Sequence, residues 1–101
     1  MNAMPHYPEG VWLCDFEFHP DNGVEGNPPH PVCMVAREYF TGQTIRLWES
    51  DLAQLTTEPF PTDDSALFVA FYTSAEFGCF ITLGWPTPAN VLDLLISYLD
   101  K

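Results

Sequence analysis

Apolar and polar positions change period several times along this chain, and each change marks an element. Residues 11–18, V-W-L-C-D-F-E-F, are rich in β-formers and nearly continuous in apolar character. That pattern predicts a strand buried on both faces. His19 to Pro31 is rich in proline and glycine and reads as a loop. P-V-C-M-V-A-R-E-Y-F, 31–40, predicts a second strand, and T-I-R-L-W-E, 44–49, alternates as a third. The short turn Thr41-Gly42-Gln43 makes these two a hairpin.

Ser50 is placed to N-cap a brief helix, Asp51 to Leu55, and the Pro- and acid-containing stretch Thr56 to Ser65 is a loop. A-L-F-V-A-F-Y, 66–72, is a continuous apolar strand. Ser74 can cap a helix that carries Glu76 in its first turn, where an acid suits the helix dipole. Gly84 and Pro86 stop that helix after about Leu83. Residues 89–99, A-N-V-L-D-L-L-I-S-Y-L, are a strand or a helix, with strand favoured for the first half. The order β-β-β-(short α)-β-α-β predicts three antiparallel strands followed by parallel crossover strands, a mixed α/β sheet with flanking helices. The first strand is expected at the centre, antiparallel to 31–40 and parallel to 66–72.

Composition narrows the picture. A chain of 101 residues with 47% hydrophobic and 15% aromatic content is one domain or less, and too apolar to be disordered. Residues 1–10 read as a loose lead-in. They carry no signal peptide, and no apolar run reaches the ~20 residues of a membrane span, so the expected compartment is the cytoplasm, with no membrane partner. Cys14, Cys33 and Cys79 lack metal-ligand spacing and read as free thiols inside apolar segments. His6, His19 and His30 read as solvated loop residues. Fourteen acids face only Arg37, Arg46 and Lys101, for a net charge of -11. No wide basic surface for nucleic acid is possible.

Three acids stand out. Asp15 and Glu17, two residues apart on a strand, share a face. Inside an apolar strand such a pair is costly unless a cation neutralises it, and hard oxygen donors select Mg²⁺ or Mn²⁺. The same spacing also suits an edge strand with a solvated face. Glu76 follows a buried strand and opens a helix, the strand edge where α/β sites form, although an acid there also stabilises a helix N-terminus without further role. Asp93, among Val91, Leu92, Leu94 and Leu95, is either partnered or the exposed position of an amphipathic segment.

The combination of D-F-E on the first strand, A-L-F-V-A-F-Y-T-S-A-E-F-G-C and V-L-D-L resembles the proofreading-type 3′–5′ exonucleases of the DEDD superfamily. Within it, the exonuclease portion of family A DNA polymerases (DNA polymerase I-like proteins) is most similar. The resemblance covers nearly the whole chain from Val11. It implies a ribonuclease H-like fold, C-terminally incomplete here, so that residues 1–101 form part of an exonuclease domain. It also implies two divalent metal ions, Mg²⁺ or Mn²⁺, and a DNA 3′ end as partner through a complete parent protein that can carry a C-terminal polymerase domain.

The first motif of that family maps onto Asp15 and Glu17. Its second motif, an Asn, a spacer, an aromatic and an Asp, corresponds to Y-T-S-A-E, which lacks the Asn and aromatic and puts Glu76 in the acid position. By resemblance Asp15 would bridge both metals, Glu17 would hold the metal of the nucleophile, and Glu76 the other. Asp93 would lie nearby as an outer ligand, and Phe16 and Phe18 would touch substrate. The third motif would lie beyond Lys101, so weak or absent activity is expected of this chain alone. Two rivals remain: an acidic binding module that mimics the DNA backbone, and a catalytically dead structural remnant.

Overall fold

The computed structural model describes residues 6–19, 29–71 and 73–99. The lead-in over 1–5, most of the Pro/Gly-rich loop (20–28) and Tyr72 lie outside the described residues. The elements in chain order are β1 (Gly10–His19), β2 (His30–Glu38), β3 (Thr44–Trp48), α1 (Glu49–Gln54), β4 (Ala66–Ala70), α2 (Thr73–Leu83), β5 (Val91–Asp93) and α3 (Leu94–Leu99). The strands form one mixed sheet in the order β3-β2-β1-β4-β5. β1 pairs antiparallel with β2 and parallel with β4, and β5 runs parallel to β4. The central place of β1 and both of its pairings are as the apolar runs and connection lengths predict.

Burial along β1 corrects one expectation. The strand is not buried on both faces. Trp12, Cys14 and Phe16 are buried, whereas Leu13, Asp15 and Glu17 are exposed. The reason is that α1 and α2 cover the same face. Trp12, Cys14, Phe16, Met34, Ala36 and Phe68 pack there with Leu52 of α1, Cys79 and Phe80 of α2, and Phe60 and Trp85 of the connections. Phe80 is fully buried and meets Phe16, Phe68 and Trp85 edge-on at centroid distances of 5.9, 5.4 and 5.3 Å. Such contacts contribute roughly 0.5–1.5 kcal/mol each beyond area burial. The other face leaves Leu13, Val35, Phe71, Leu92 and Leu94 each more than a third exposed.

Element ends moved for tertiary reasons. β2 stops at Glu38, and 39–40 belong to the turn. α1 begins at Glu49 with Trp48 as its N-cap residue, and the Asp51 carboxylate accepts the Trp48 N–H at 2.9 Å, so Ser50 lies inside the helix. α2 starts at Thr73, not after Ser74, because Asp93 from β5 accepts the Thr73 N–H at 2.9 Å. A charged acceptor held by the neighbouring strand displaces the local serine cap. Its end is as expected: Gly84 takes φ 75°, and the Trp85 N–H returns to the Phe80 carbonyl at 2.9 Å. The run 89–99 splits at Asp93, whose other oxygen accepts the Leu95 N–H at 3.0 Å and so starts α3. Among the described residues no helix is long and apolar enough to cross a membrane.

Glu38 ties the bottom of the sheet together and carried no signal in the sequence. It is 4% exposed, with Oε2 accepting the Val11 N–H at 2.9 Å and Oε1 accepting those of Phe40 and Thr41 at 2.9 and 2.7 Å. Burial opposes its charge, but these donors outweigh that and hold its carboxyl below the usual range. Gly10 makes room: at φ 116°, a Cβ there would stand 2.9 Å from the Glu38 Cγ. Glu38→Gln puts an N–H₂ against one of these N–H groups. Urea unfolding should show a loss of about 1.5–3 kcal/mol, the range for hydrogen bonds to charged groups; an unchanged midpoint would show that the carboxylate is dispensable.

Candidate functional site

The candidate acids are positioned by the place where β4 ends. Backbone groups of alternate β1 residues face alternate neighbours. The Val11 carbonyl accepts the Tyr39 N–H, so odd residues face β2 and even residues face β4. β4 pairs with β1 only from Gly10↔Ala66 to Leu13↔Val69 and ends at Ala70. Further along β1, the Phe16 N–H points where no strand runs. Glu76, in the first turn of α2, fills that gap: its Oε2 accepts the Phe16 N–H at 3.0 Å. A parallel neighbour followed by a helix delivers the helix N-terminus to this edge, as the sequence order predicts.

Glu76 is 6% exposed. Its carboxyl is pushed up to about 7, chiefly by burial, then by the charge of Asp15, with Glu17 adding to it, against the lowering effect of the Phe16 N–H. Cys79 is pushed up to about 12 by burial and by Glu76, and Cys14 is raised by burial and by Glu76 and Asp15. Both thiols stay protonated and unreactive. All three cysteines are free, as expected; Cys14 and Cys79 are buried and Cys33 partly so.

Glu76 is within electrostatic reach of Asp15 and Glu17 at the end of β4. The three side chains do not converge on one face as the resemblance implies, because strand alternation turns Asp15 and Glu17 away from the helices. They come from different layers. Asp15 and Glu17 leave β1 on the open face, exposed, while Glu76 reaches in from the helix side. Among the described residues no group of three or more His, Cys, Asp and Glu side chains is arranged to hold a metal ion. The donor chemistry is that of a hard divalent cation. Thr73 Oγ1, one helical turn before Glu76 on α2, is buried without a hydrogen-bond partner.

Asp93 spends its oxygens on the N–H groups of Thr73 and Leu95, joining the starts of α2 and α3. It supports the element that carries Glu76. Phe16 is 3% exposed, locked against Phe80 and Trp85, so the substrate contact implied for it has no free surface; Phe18 is partly buried at the core margin. His6, His19 and His30 are exposed, and His30 pairs with Glu49.

No family model matches this chain, nor does any curated protein or solved structure. The geometry alone bears on what the site does.

The raised Glu76 carboxyl makes stability depend on pH. The folded chain holds this proton more tightly than the unfolded one, so protonation favours folding. That contribution is full below the ordinary glutamate range and is lost as pH rises through about 7. Glu76→Gln keeps an acceptor for the Phe16 N–H without the charge. Between pH 5 and 8, denaturant titrations should show the variant gaining on the native chain. The expected gain is about 1 kcal/mol once screening of the exposed Asp15 and Glu17 is allowed for. A constant gap across that window would mean that folding does not raise the Glu76 carboxyl.

Proposed function

We propose that this chain carries part of the active site of a metal-dependent 3′–5′ exonuclease acting on a DNA 3′ end, within a ribonuclease H-like fold and a DNA polymerase I-like parent protein. One observation supports this above the others. A carboxyl buried at a helix start lies at the end of β4 and feels two further carboxylates on the adjacent strand. Solvation accounts for the exposed positions of Asp15 and Glu17, but their charge opposes that of the buried Glu76, and a cation bound between them would relieve it. The mixed sheet is compatible with the fold, and the first-motif acids lie on its central strand.

In this reading Asp15, Glu17 and Glu76 would hold the divalent ions. Bound there, such ions supply a lowered pKa for water and charge stabilisation at the leaving 3′ oxygen. The rest falls to the chain itself. The Phe16 N–H fixes one Glu76 oxygen and leaves the other available. Asp93 anchors the first turn of α2, so Glu76 keeps its place when the local charge changes. Cys14, Cys79 and Phe80 exclude water behind Glu76, which strengthens every electrostatic interaction at the edge.

Calorimetric titration with Mn²⁺ tests the reading. Because Glu76 must lose a proton to become a ligand, affinity should rise about tenfold from pH 6 to pH 8. Asp15→Asn should lose most binding at either pH, and Glu76→Gln should flatten the pH dependence. Equal binding by the native chain and Asp15→Asn would end the exonuclease reading.

A further inference from the structure

The strand register places both arginines of the chain on the same face as Asp15 and Glu17, one and two strands away. Three rows run across the open face of β1, β2 and β3: Glu17–Cys33–Trp48, Asp15–Val35–Arg46 and Leu13–Arg37–Thr44. Residues paired in register point to the same side. Arg37, Arg46 and Trp48 therefore stand off the face that carries Asp15 and Glu17, opposite the helices. Arg46 lies two strand spacings from Asp15, about 10 Å. Asp15 and Arg37 line one open concavity of about 370 Å³, floored by Leu13, Val35 and Phe71.

Each of these three residues is exposed, Trp48 at 68%. Neither arginine has an ion-pair partner among the described residues, although the chain carries fourteen acids. Arginine on an edge strand is ordinarily a guard against edge pairing. A bare tryptophan beside it does the reverse, because it offers apolar area. Glu49 and Asp51 flank Trp48, and Asp51 accepts its N–H at 2.9 Å, but the unpaired arginines and the free aromatic face in adjacent rows suit a phosphodiester strand whose bases are unstacked. Bases in a duplex present no face to an indole.

We propose that Arg37, Arg46 and Trp48 form a positioning track for a single nucleic-acid strand leading to the carboxylate edge. The arginines take successive phosphates and Trp48 stacks on a base. This rests on the reading of Asp15, Glu17 and Glu76 as a phosphodiester-cleaving site. Two cations neutralise two phosphates, so the track orients a strand and binds it weakly.

The test uses the whole chain and a twelve-residue oligothymidylate in EDTA at low salt. Trp12 and Trp85 are buried, so quenching of tryptophan emission by the oligonucleotide reads Trp48. The logarithm of affinity should fall with the logarithm of salt at a slope of about -1.4, roughly -0.7 per phosphate on a single strand. Arg46→Gln and Arg37→Gln should each bring it to about -0.7, and Arg46→Lys should restore it. Anisotropy of a labelled oligonucleotide should show weaker binding by Trp48→Leu. No quenching of the native chain, equal quenching by a duplex of the same length, or an unchanged slope in Arg46→Gln would each overturn the track. Mn²⁺ binding in the same preparation separates the two ideas. Metal binding without oligonucleotide binding sinks the track alone, and oligonucleotide binding without metal binding sinks the exonuclease reading alone.

Discussion

A hydrogen bond between the Phe16 N–H and the Glu76 carboxylate decides the character of this molecule. It exists because two parallel strands differ in length. β4 stops at Ala70 while β1 continues, and a central strand that outruns its neighbour leaves a donor in the middle of a folded domain. An unsatisfied buried N–H costs on the order of 1–3 kcal/mol. A neutral acceptor could have removed that penalty. A glutamate does so instead, beside Asp15 and Glu17, where its charge is opposed by burial and by both neighbours. The backbone requires an acceptor at this point; it does not require a negative one.

Other parts of the fold hold that carboxyl in place. Asp93 reaches from β5 to the first residue of α2 and so fixes the turn that carries Glu76. Phe80, one turn further along the helix, is clamped among Phe16, Phe68 and Trp85 and sets how closely α2 approaches β1. At the opposite end, Glu38 secures β1 to the hairpin turn through three backbone donors. The two buried glutamates behave in opposite ways for one reason. Glu38 has three N–H donors to compensate its burial, whereas Glu76 has one donor and two nearby negative charges. Glu38 is thereby held as a structural anion, and Glu76 is left able to exchange its proton near neutral pH.

Much of this was legible before the fold was seen. The continuous apolar run 66–72, the short hairpin 41–43 and the strand–helix–strand order predict the sheet and bring the start of α2 to the end of β4, but not that Asp15 and Glu17 turn to the face away from Glu76. Periodicity could not show which face of β1 the helices would cover, because Leu13 makes the exposed side look as apolar as the buried one. Phe16 therefore passed for an accessible residue although it belongs to the core. The cap at Ser74 failed because the stronger acceptor, Asp93, lies twenty residues away in sequence. Glu38 left no trace at all. A lone acid at a strand end is ordinarily solvated, and only the turn folding back over β1 buries it.

The net charge of -11 poses a problem for any function on nucleic acid, and the distribution of charge changes its terms. Repulsion between a protein and a polyanion depends on which charges the strand meets, since exposed charges beyond about 8 Å are largely screened at physiological salt. Near the candidate site the acids are Asp15, Glu17, Glu76 and Asp93, and the first three are the groups a divalent cation would neutralise. The two arginines stand on the same open face, and neither is cancelled by an ion pair among the described residues. With those acids neutralised, that part of the face becomes less negative while the chain as a whole stays acidic. Metal and strand would then depend on each other: the arginines hold the strand only weakly until the cation is present, and the cation is held more firmly once a phosphate completes its oxygen shell. Such coupling is reciprocal by thermodynamic necessity. It gives an acidic chain a way to admit a phosphodiester at one edge while repelling it everywhere else.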